Sequence, residues 1–370
     1  MLLLDRARFP RDKPCGGAVT PRAASLLAVD ITPVIERTPS RALISLRHGR
    51  PFLRSYPQPL AHMTQRCRLD AHLAEAAAAA GADFRDGVLV REVQLDGYRA
   101  TVRTGAGDFT GRAVAGADGA NGVVARALGL NPSPEAAVAL EGNLPLPGGA
   151  LEPWRELVAL DLGALPGGYG WVFPKGDHLN VGVGAWSYAA PTLRPHLAAL
   201  CRQFRWDAGD LRNLRGHHLP MRRPGAPIVR GPALLLGDAA GLVDPLSGEG
   251  ISTAVLSARL AAPALSRYLA EEAPDLSSYG AAVDRQIMPE LAISRRLQEI
   301  FHCTPAPYVA ALRFSDYLWR SMCRIVSGDT TYQRFRSRFG PLRPLLDGWA
   351  SVARWRNTKR GVRRRARTPW

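Results

Sequence analysis

Apolar and polar positions change period several times along this chain, and each change marks a different kind of element. Leu2, Leu3 and Leu4 form an apolar run ending at Asp5, followed over 9–17 by a polar stretch containing Pro and Gly, which reads as strand and then loop. Residues 68–80 carry Leu69, Leu73 and a run of alanines with high helix propensity, and Gly81 stands where a C-terminal cap belongs. The segments 88–93, 99–104 and 108–114 contain β-branched residues and are separated by Gly or Asp, the pattern of a strand meander. Pro and Gly become frequent over 130–151, predicting a crossing between domains. Over 157–186 apolar positions alternate with polar or Gly positions, as antiparallel strands require. Residues 233–236 form a continuous apolar run entering Gly237-Asp238-Ala239-Ala240-Gly241, and 250–268 return to helical spacing, giving strand, tight turn and helix. Beyond Asp275 the pattern is helical, with Phe301, Tyr308, Phe314, Tyr317 and Trp319 along it, and no internal repeat is visible.

Length and composition add limits to this picture. At 370 residues the chain exceeds a single core, and a prior of about 150 residues per domain predicts two units. Apolar residues at 46% and charged residues at 22% allow a sizeable core and argue against global disorder. The net charge of +16 points to an anionic partner such as a nucleotide, a phospholipid surface or a polyanion, without choosing among them. Eight Lys or Arg residues fall between Arg354 and Arg367, and no acid follows Asp347. Such a tail reads first as a solvated end, with nucleic acid disfavoured as its partner. The five cysteines are odd in number and never spaced as CxxC, which argues against a disulfide scaffold, a zinc ribbon or an iron-sulfur cluster and fits a reducing cytoplasm. No metal ligand set is read. No apolar run approaches about 18 residues and no signal peptide is visible, so membrane contact is expected to be peripheral.

The most specific chemical signal is Gly237-Asp238 followed by Asp244-Pro245-Leu246-Ser247-Gly248-Glu249-Gly250-Ile251. Small residues let backbone approach a ligand, a helix N-terminus offers unpaired N–H groups to a phosphate or flavin oxygen, and a carboxylate accepts from hydroxyls of a ribityl chain. For Asp238 alone an ordinary capped turn is the simpler reading; the whole run favours cofactor binding.

This run resembles the second flavin-contacting motif of the p-hydroxybenzoate-hydroxylase-type flavoproteins. Other pieces follow in the order that resemblance requires. Leu2-Leu3-Leu4-Asp5 looks like the end of the second Rossmann strand, whose terminal acid would accept from the adenosine ribose. Arg66, Leu69, Asp70 and Leu73 are similar to the segment in which an arginine at a helix start lies near the cofactor. Gly116-Ala117-Asp118-Gly119-Ala120-Asn121 resembles the middle motif, with Gly122 where a serine is common. Two segments narrow the family to the geranylgeranyl reductases: Lys13-Pro14-Cys15-Gly16-Gly17 resembles their cysteine loop beside the isoalloxazine, and Tyr169-Gly170-Trp171-Val172-Phe173-Pro174 with Gly182-Val183-Gly184 looks like the aromatic signature of their substrate cavity. Taken singly, a cysteine reads as a small buried hydrophobe and alternating aromatics as core packing.

The resemblance implies an α/β plus antiparallel-sheet (α+β) fold: a Rossmann-like FAD-binding domain over 1–130 and 215–275, an antiparallel-sheet substrate domain over 131–214, a helical region over 276–353 and a basic tail over 354–370. It implies FAD, with NAD(P)H or another reductant as electron donor, and reduction of carbon-carbon double bonds in a prenyl lipid or other apolar small molecule. The cofactor residues it implies are Asp5, Arg66, Asp118, Gly119, Gly237, Asp238, Pro245, Gly248, Gly250 and Ile251. Tyr169, Trp171 and Phe173 would line the substrate, and Cys15 is the one acid named by motif. No GxGxxG turn occurs in this chain, and the strand and turn of about 30 residues that would carry it are missing from it, either because the start is placed too far downstream or through a true truncation. Without them the pyrophosphate lacks its helix N-terminus. A flavin-dependent aromatic monooxygenase shares the same motifs, and a non-catalytic flavoprotein homologue acting as a binding protein is a third reading.

Overall fold

The computed structural model describes residues 1–338 apart from 98 and 148, together with 340, 348 and 350–356. The part of the basic tail beyond 356 lies outside the described residues.

A seven-stranded sheet organises the molecule, in the order Arg212–Met221, Glu135–Pro145, His178–Trp186, Tyr169–Pro174, Leu157–Leu162, Arg41–Leu46, Phe52–Ser55. Neighbours run antiparallel except Leu157–Leu162 against Arg41–Leu46, which are parallel. Period-two alternation gives the sheet two apolar faces. On one, Val172, Val181 and Val183 pack under Leu197 and Leu200 of the helix Leu193–Gln203. Val172 and Trp171 alternate, so the other face carries Tyr169, Trp171 and Phe173. There Phe173 joins a cluster with Ile44, Met63, Val158, Val309 and Trp319 under the C-terminal helices.

Two expectations about this sheet are corrected. Residues 130–151 contain the eleven-residue strand Glu135–Pro145, which pairs on both sides, instead of forming a crossing. The prolines that suggested a linker, Pro132, Pro134, Pro145 and Pro147, lie outside it or at its end, where a missing N–H costs no ladder bond, and 136–144 hold none. Arg41–Leu46 and Phe52–Ser55 belong to this sheet although the boundary at 130 places them with the cofactor unit, and Arg212–Met221 runs across the boundary at 215. Such long-range pairing has no signature in local composition.

The rest of the molecule is built from shorter pieces. Leu2–Leu4 pairs in parallel with Asp83–Arg85, and Val114–Gly116 in parallel with Ala233–Leu235. These pairs lie in separate sheets, and no strand among the described residues joins them. The meander is present as Val90–Asp96, Arg99–Thr104 and Gly107–Gly111. The helix Arg66–Ala79 precedes Asp83–Arg85, and the helix Ile251–Leu269 starts at Gly250 after the turn Gly237–Ala240. Buried Leu234, Leu235, Ala261, Tyr279 and Val283 tie this region to the helix Ser277–Gln286. The helices Met288–Cys303, Pro305–Phe314, Asp316–Ser327 and Tyr332–Ser337 follow. Among the described residues no helix is long and apolar enough to cross a membrane.

Candidate active site

Two cross-strand rows of the large sheet create the site. Register places Glu141, Gly182 and Trp171 side by side on three adjacent strands, and Asn143, Asn180 and Phe173 in the next row on the same face. Residues directly opposite on neighbouring strands share a face, so these side chains meet. The strand Glu135–Pro145 is irregular here, its register against Arg212–Met221 shifting between Glu141 and Asn143. Bulges of this kind re-aim side chains at rims and sites.

Trp171 fixes the second half of the aromatic signature. A Cβ on Gly182 would lie 2.2 Å from the indole Cζ2, so only glycine leaves room for the ring. The indole N–H donates to Asn180 Oδ1 at 2.8 Å, and Asn180 Nδ2 donates to Asn143 Oδ1 at 3.3 Å. Ring centroids stand 6.0 Å apart for Tyr169 and Trp171 and 6.2 Å for Trp171 and Phe173, an unbroken aromatic row. The Tyr169 hydroxyl donates to the backbone carbonyl of Ser247, inside the run 244–251.

The cysteine loop lies across the other end of this row. Gly16 abuts the rings of Phe173 and Trp171. Gly17 has φ +61°, and a Cβ there would strike the Thr64 carbonyl and the Lys175 ammonium. Lys175 follows the aromatic strand directly and is 3% exposed. Its Nζ donates to the carbonyls of Gly16 at 2.6 Å and Thr64 at 2.9 Å. Burial pushes its pKa down to about 8. Glu141 Oε1 accepts the N–H of Cys15, and burial pushes this carboxyl up to about 7 against the lowering influence of that bond and of Lys175. Cys15 is a free thiol, half-buried, whose Sγ accepts from the Gly17 N–H at 3.4 Å and faces the Arg66 guanidinium.

Arg66 is held in turn. Its Nε and Nη2 donate to Asp70 at 2.7 and 2.8 Å, the bidentate geometry of a strong pair. Asp70 also accepts from Arg11 at 2.7 Å, and Arg11 reaches Asp5 at 3.4 Å. Three residues read from sequence, Asp5, Arg66 and Cys15, are thus joined through Arg11 and Asp70. Asp238 stands near the same loop, 3.7 Å from Lys13, with its Oδ1 3.0 Å from where a Cβ on Gly250 would sit. Gly250 begins the helix Ile251–Leu269 without a side-chain cap, while Glu249 takes the N–H of Ser252. Pro245 is buried, Gly237 and Gly248 have φ +51° and +69°, and Ile251 opens the helix. The Asp118 carboxylate accepts from Val123 and Val124 and starts the short helix Val123–Ala127, and Gly119 beside it has φ +77°.

Sequence reasoning missed Glu141, Asn180 and Lys175. A carboxylate amid the apolar positions 136–144 was a visible signal for Glu141. Nothing in the sequence marks Lys175 as buried, since lysine is ordinarily exposed.

The donors and acceptors present fit a flavin dinucleotide: a partly exposed carboxylate at Asp238 beside the helix start at Gly250, an acid following Leu2–Leu4, and a cleft with the Cys15 thiol in its lining. The cleft beside Cys15 is lined by Lys13, Arg66, Glu141, Lys175, Asn180 and Arg215, among others.

No family model matches the chain. It is 30% identical over 364 residues to the chloroplastic geranylgeranyl diphosphate reductase of Oryza sativa subsp. japonica, covering 89% of this chain and 77% of that protein. It is 34% identical over 300 residues to the menaquinone reductase of Mycobacterium tuberculosis, covering 75% of this chain and 73% of that one. A solved geranylgeranyl bacteriochlorophyll reductase-like protein from Thermoplasma acidophilum superposes with a TM-score of 0.71 at 21% identity, over 88% of this chain and 85% of that one, a likeness of fold.

Proposed function

The chain belongs to the geranylgeranyl reductase family of FAD-dependent flavoproteins, and from that premise we propose that it reduces isolated carbon-carbon double bonds in the prenyl chain of a lipid or quinone. One observation carries this reading: a single aromatic strand, 169–174, touches both the cysteine loop at Gly16 and the run 244–251 at Ser247. An apolar chain lying along Tyr169, Trp171 and Phe173 would run beside both the cysteine loop and the flavin-contacting run, with Cys15 near enough to Tyr169 to act on its hydroxyl electrostatically.

Asp5, Arg66, the Gly119 turn, Asp238 and the segment Gly248–Ile251 would hold FAD. FAD held there would supply hydride chemistry to the double bond, with NAD(P)H or another reductant as the source of electrons. An isolated alkene is a poor hydride acceptor, so a proton must reach the other carbon. Cys15 is the candidate donor at Sγ, and the electron-rich ring faces of the row steady positive charge developing on the alkene while excluding water.

The test is anaerobic incubation of the flavin-loaded chain, reduced with dithionite, with geranylgeranyl diphosphate and, separately, menaquinone. After reoxidation of any quinol in air, mass spectrometry is expected to find a product that keeps an added hydrogen pair in its prenyl chain. Cys15→Ala is expected to slow alkene reduction about 100-fold while flavin reduction proceeds. Unchanged turnover removes Cys15 from the mechanism. Hydroxylation dependent on oxygen would mark a monooxygenase instead, and failure to retain flavin would favour the non-catalytic binding protein.

A further inference from the structure

Alkene reduction consumes one proton in every cycle, and the thiol that meets the chain has to regain it. The group nearest the Cys15 backbone that can hold a spare proton is Glu141, whose Oε1 accepts the Cys15 N–H. Glu141 is 8% exposed and sits at the bulge of its strand, in the same cross-strand row as Trp171. Its position joins two things an exposed acid lacks: a hydrogen bond to Asn180, which holds the Trp171 indole, on one side, and on the other a cleft with Asp12, Arg215 and His178 in its lining. Arg215 lies opposite Glu141 on the neighbouring strand and pairs with Asp12 at 3.2 Å, both half-exposed.

We propose that Glu141 is the proton reservoir of this site: its carboxyl, fastened to the Cys15 backbone, restores the proton that the thiol gives to the alkene and is itself recharged from solvent through the cleft. Atoms and electrons balance over the cycle. One carbon receives a hydride from the reduced flavin, the other a proton from Cys15 Sγ, and the thiolate takes its proton from Glu141. The resulting carboxylate takes one from water. The inference rests on the reductase reading above. Its pH window follows from the groups that face Glu141: Lys175 at the end of the aromatic strand, Cys15 and Asp12 on the loop, Arg66 on its helix, and Arg215 and His178 at the cleft. Burial dominates among them and holds the carboxyl protonated to near neutrality, with its pKa raised to about 7. An acid titrating there is matched to give and retake a proton in the cell.

Two measurements decide it. Infrared difference spectra of the purified chain without flavin, recorded as pH rises, are expected to show a protonated carboxyl band that fades around pH 7 and is absent from Glu141→Gln. A spectrum that E141Q leaves unchanged overturns the inference with no assay of activity. In the flavin-loaded chain, steady-state alkene reduction of geranylgeranyl diphosphate or menaquinone is expected to fall on the order of 100-fold in E141Q and to lose its decline above neutral pH. Glu141→Asp is expected to restore part of both, and matching thermal unfolding of the three proteins shows that the variants fold. Wild-type reduction that E141Q leaves at the same rate and pH profile overturns the inference alone. Absence of alkene reduction from the wild type overturns the functional reading and the inference with it, whatever the infrared spectra show.

Discussion

Lys175 donates from a buried ammonium to the carbonyl of Gly16 at 2.6 Å, and so fastens the cysteine loop to the end of the aromatic strand. The same nitrogen holds the Thr64 carbonyl at 2.9 Å, two residues before Arg66. Three segments distant in sequence therefore converge on one cation. Gly17 makes this possible, since a side chain there would occupy the space of that nitrogen.

Lys175→Met keeps the length of the side chain and removes the donor. Two buried carbonyls then lose their partner, a cost on the order of 2–4 kcal/mol. Urea unfolding is expected to register that loss. The loop should also open, so alkylation of the Cys15 thiol, read against a Cys15→Ala control, is expected to accelerate. Unaltered alkylation would mean that the aromatic packing at Gly16 holds the loop without the lysine.

Buried Glu141 and Lys175 predict a stability profile with a minimum near neutral to slightly alkaline pH. The carboxyl titrates at about 7 in the folded chain and near its ordinary value of 4.5 when unfolded, so between these the folded state binds more protons and stability falls as pH rises. The ammonium titrates at about 8 when folded and near 10.5 when unfolded, so over that interval stability rises again. The first limb spans on the order of 3 kcal/mol. Glu141→Gln is expected to flatten that limb and leave the alkaline one. Denaturation midpoints from pH 4 to pH 10 test this, and an unchanged acid limb in the variant would assign it to other carboxyls.

Much of this site was legible because its motifs are local. Gly237 to Ile251 is a continuous strand, turn and helix start, and Tyr169, Trp171 and Phe173 alternate along one strand, so spacing alone places each group on a face. The expectations for the cysteine loop and Asp5 came from the family resemblance instead, since singly a cysteine reads as a small hydrophobe and an acid after a strand as a surface residue. What stayed hidden depends on pairing between distant strands. Glu141 reaches Trp171 only through the register of three strands, and 41–55 joins the large sheet through a parallel pairing that nothing in its composition announces. Frequent prolines around 132–147 pointed to a linker because they bracket a strand at positions that need no N–H. Asp118 shows the converse limit: its motif is plain in sequence, while its carboxylate caps a helix.

Gly182 and Trp171 offer a packing test of the aromatic signature. Gly182→Ala places a methyl 2.2 Å from the indole, so the ring must leave its position. Overpacking of this kind costs about 1–3 kcal/mol, and the displaced indole also loses its bond to Asn180. Trp171→Phe removes the crowded half of the ring and is expected to tolerate Ala at 182. A double-mutant cycle measured by denaturant unfolding should give a coupling of at least about 1 kcal/mol. Additive losses would mean that the glycine serves the backbone alone.

Asp238 separates cofactor binding from structure. Its only ion pair among the described residues is with Lys13 at 3.7 Å, part-exposed on both sides, so removing the carboxylate is expected to change the stability of the flavin-free chain by under about 1 kcal/mol. If the carboxylate accepts hydroxyls of the cofactor, the loss appears in binding. A charged hydrogen bond contributes about 1.5–3 kcal/mol, which corresponds to roughly a 10- to 100-fold weaker FAD affinity for Asp238→Ala. Asp238→Asn, which keeps an acceptor without the charge, should fall between. Flavin fluorescence titration measures the affinity and thermal unfolding without flavin supplies the control. An affinity equal to that of the wild type would return Asp238 to the ordinary capped turn that it would be on its own, and leave Gly248, Gly250 and the start of the helix as the surface that meets the flavin.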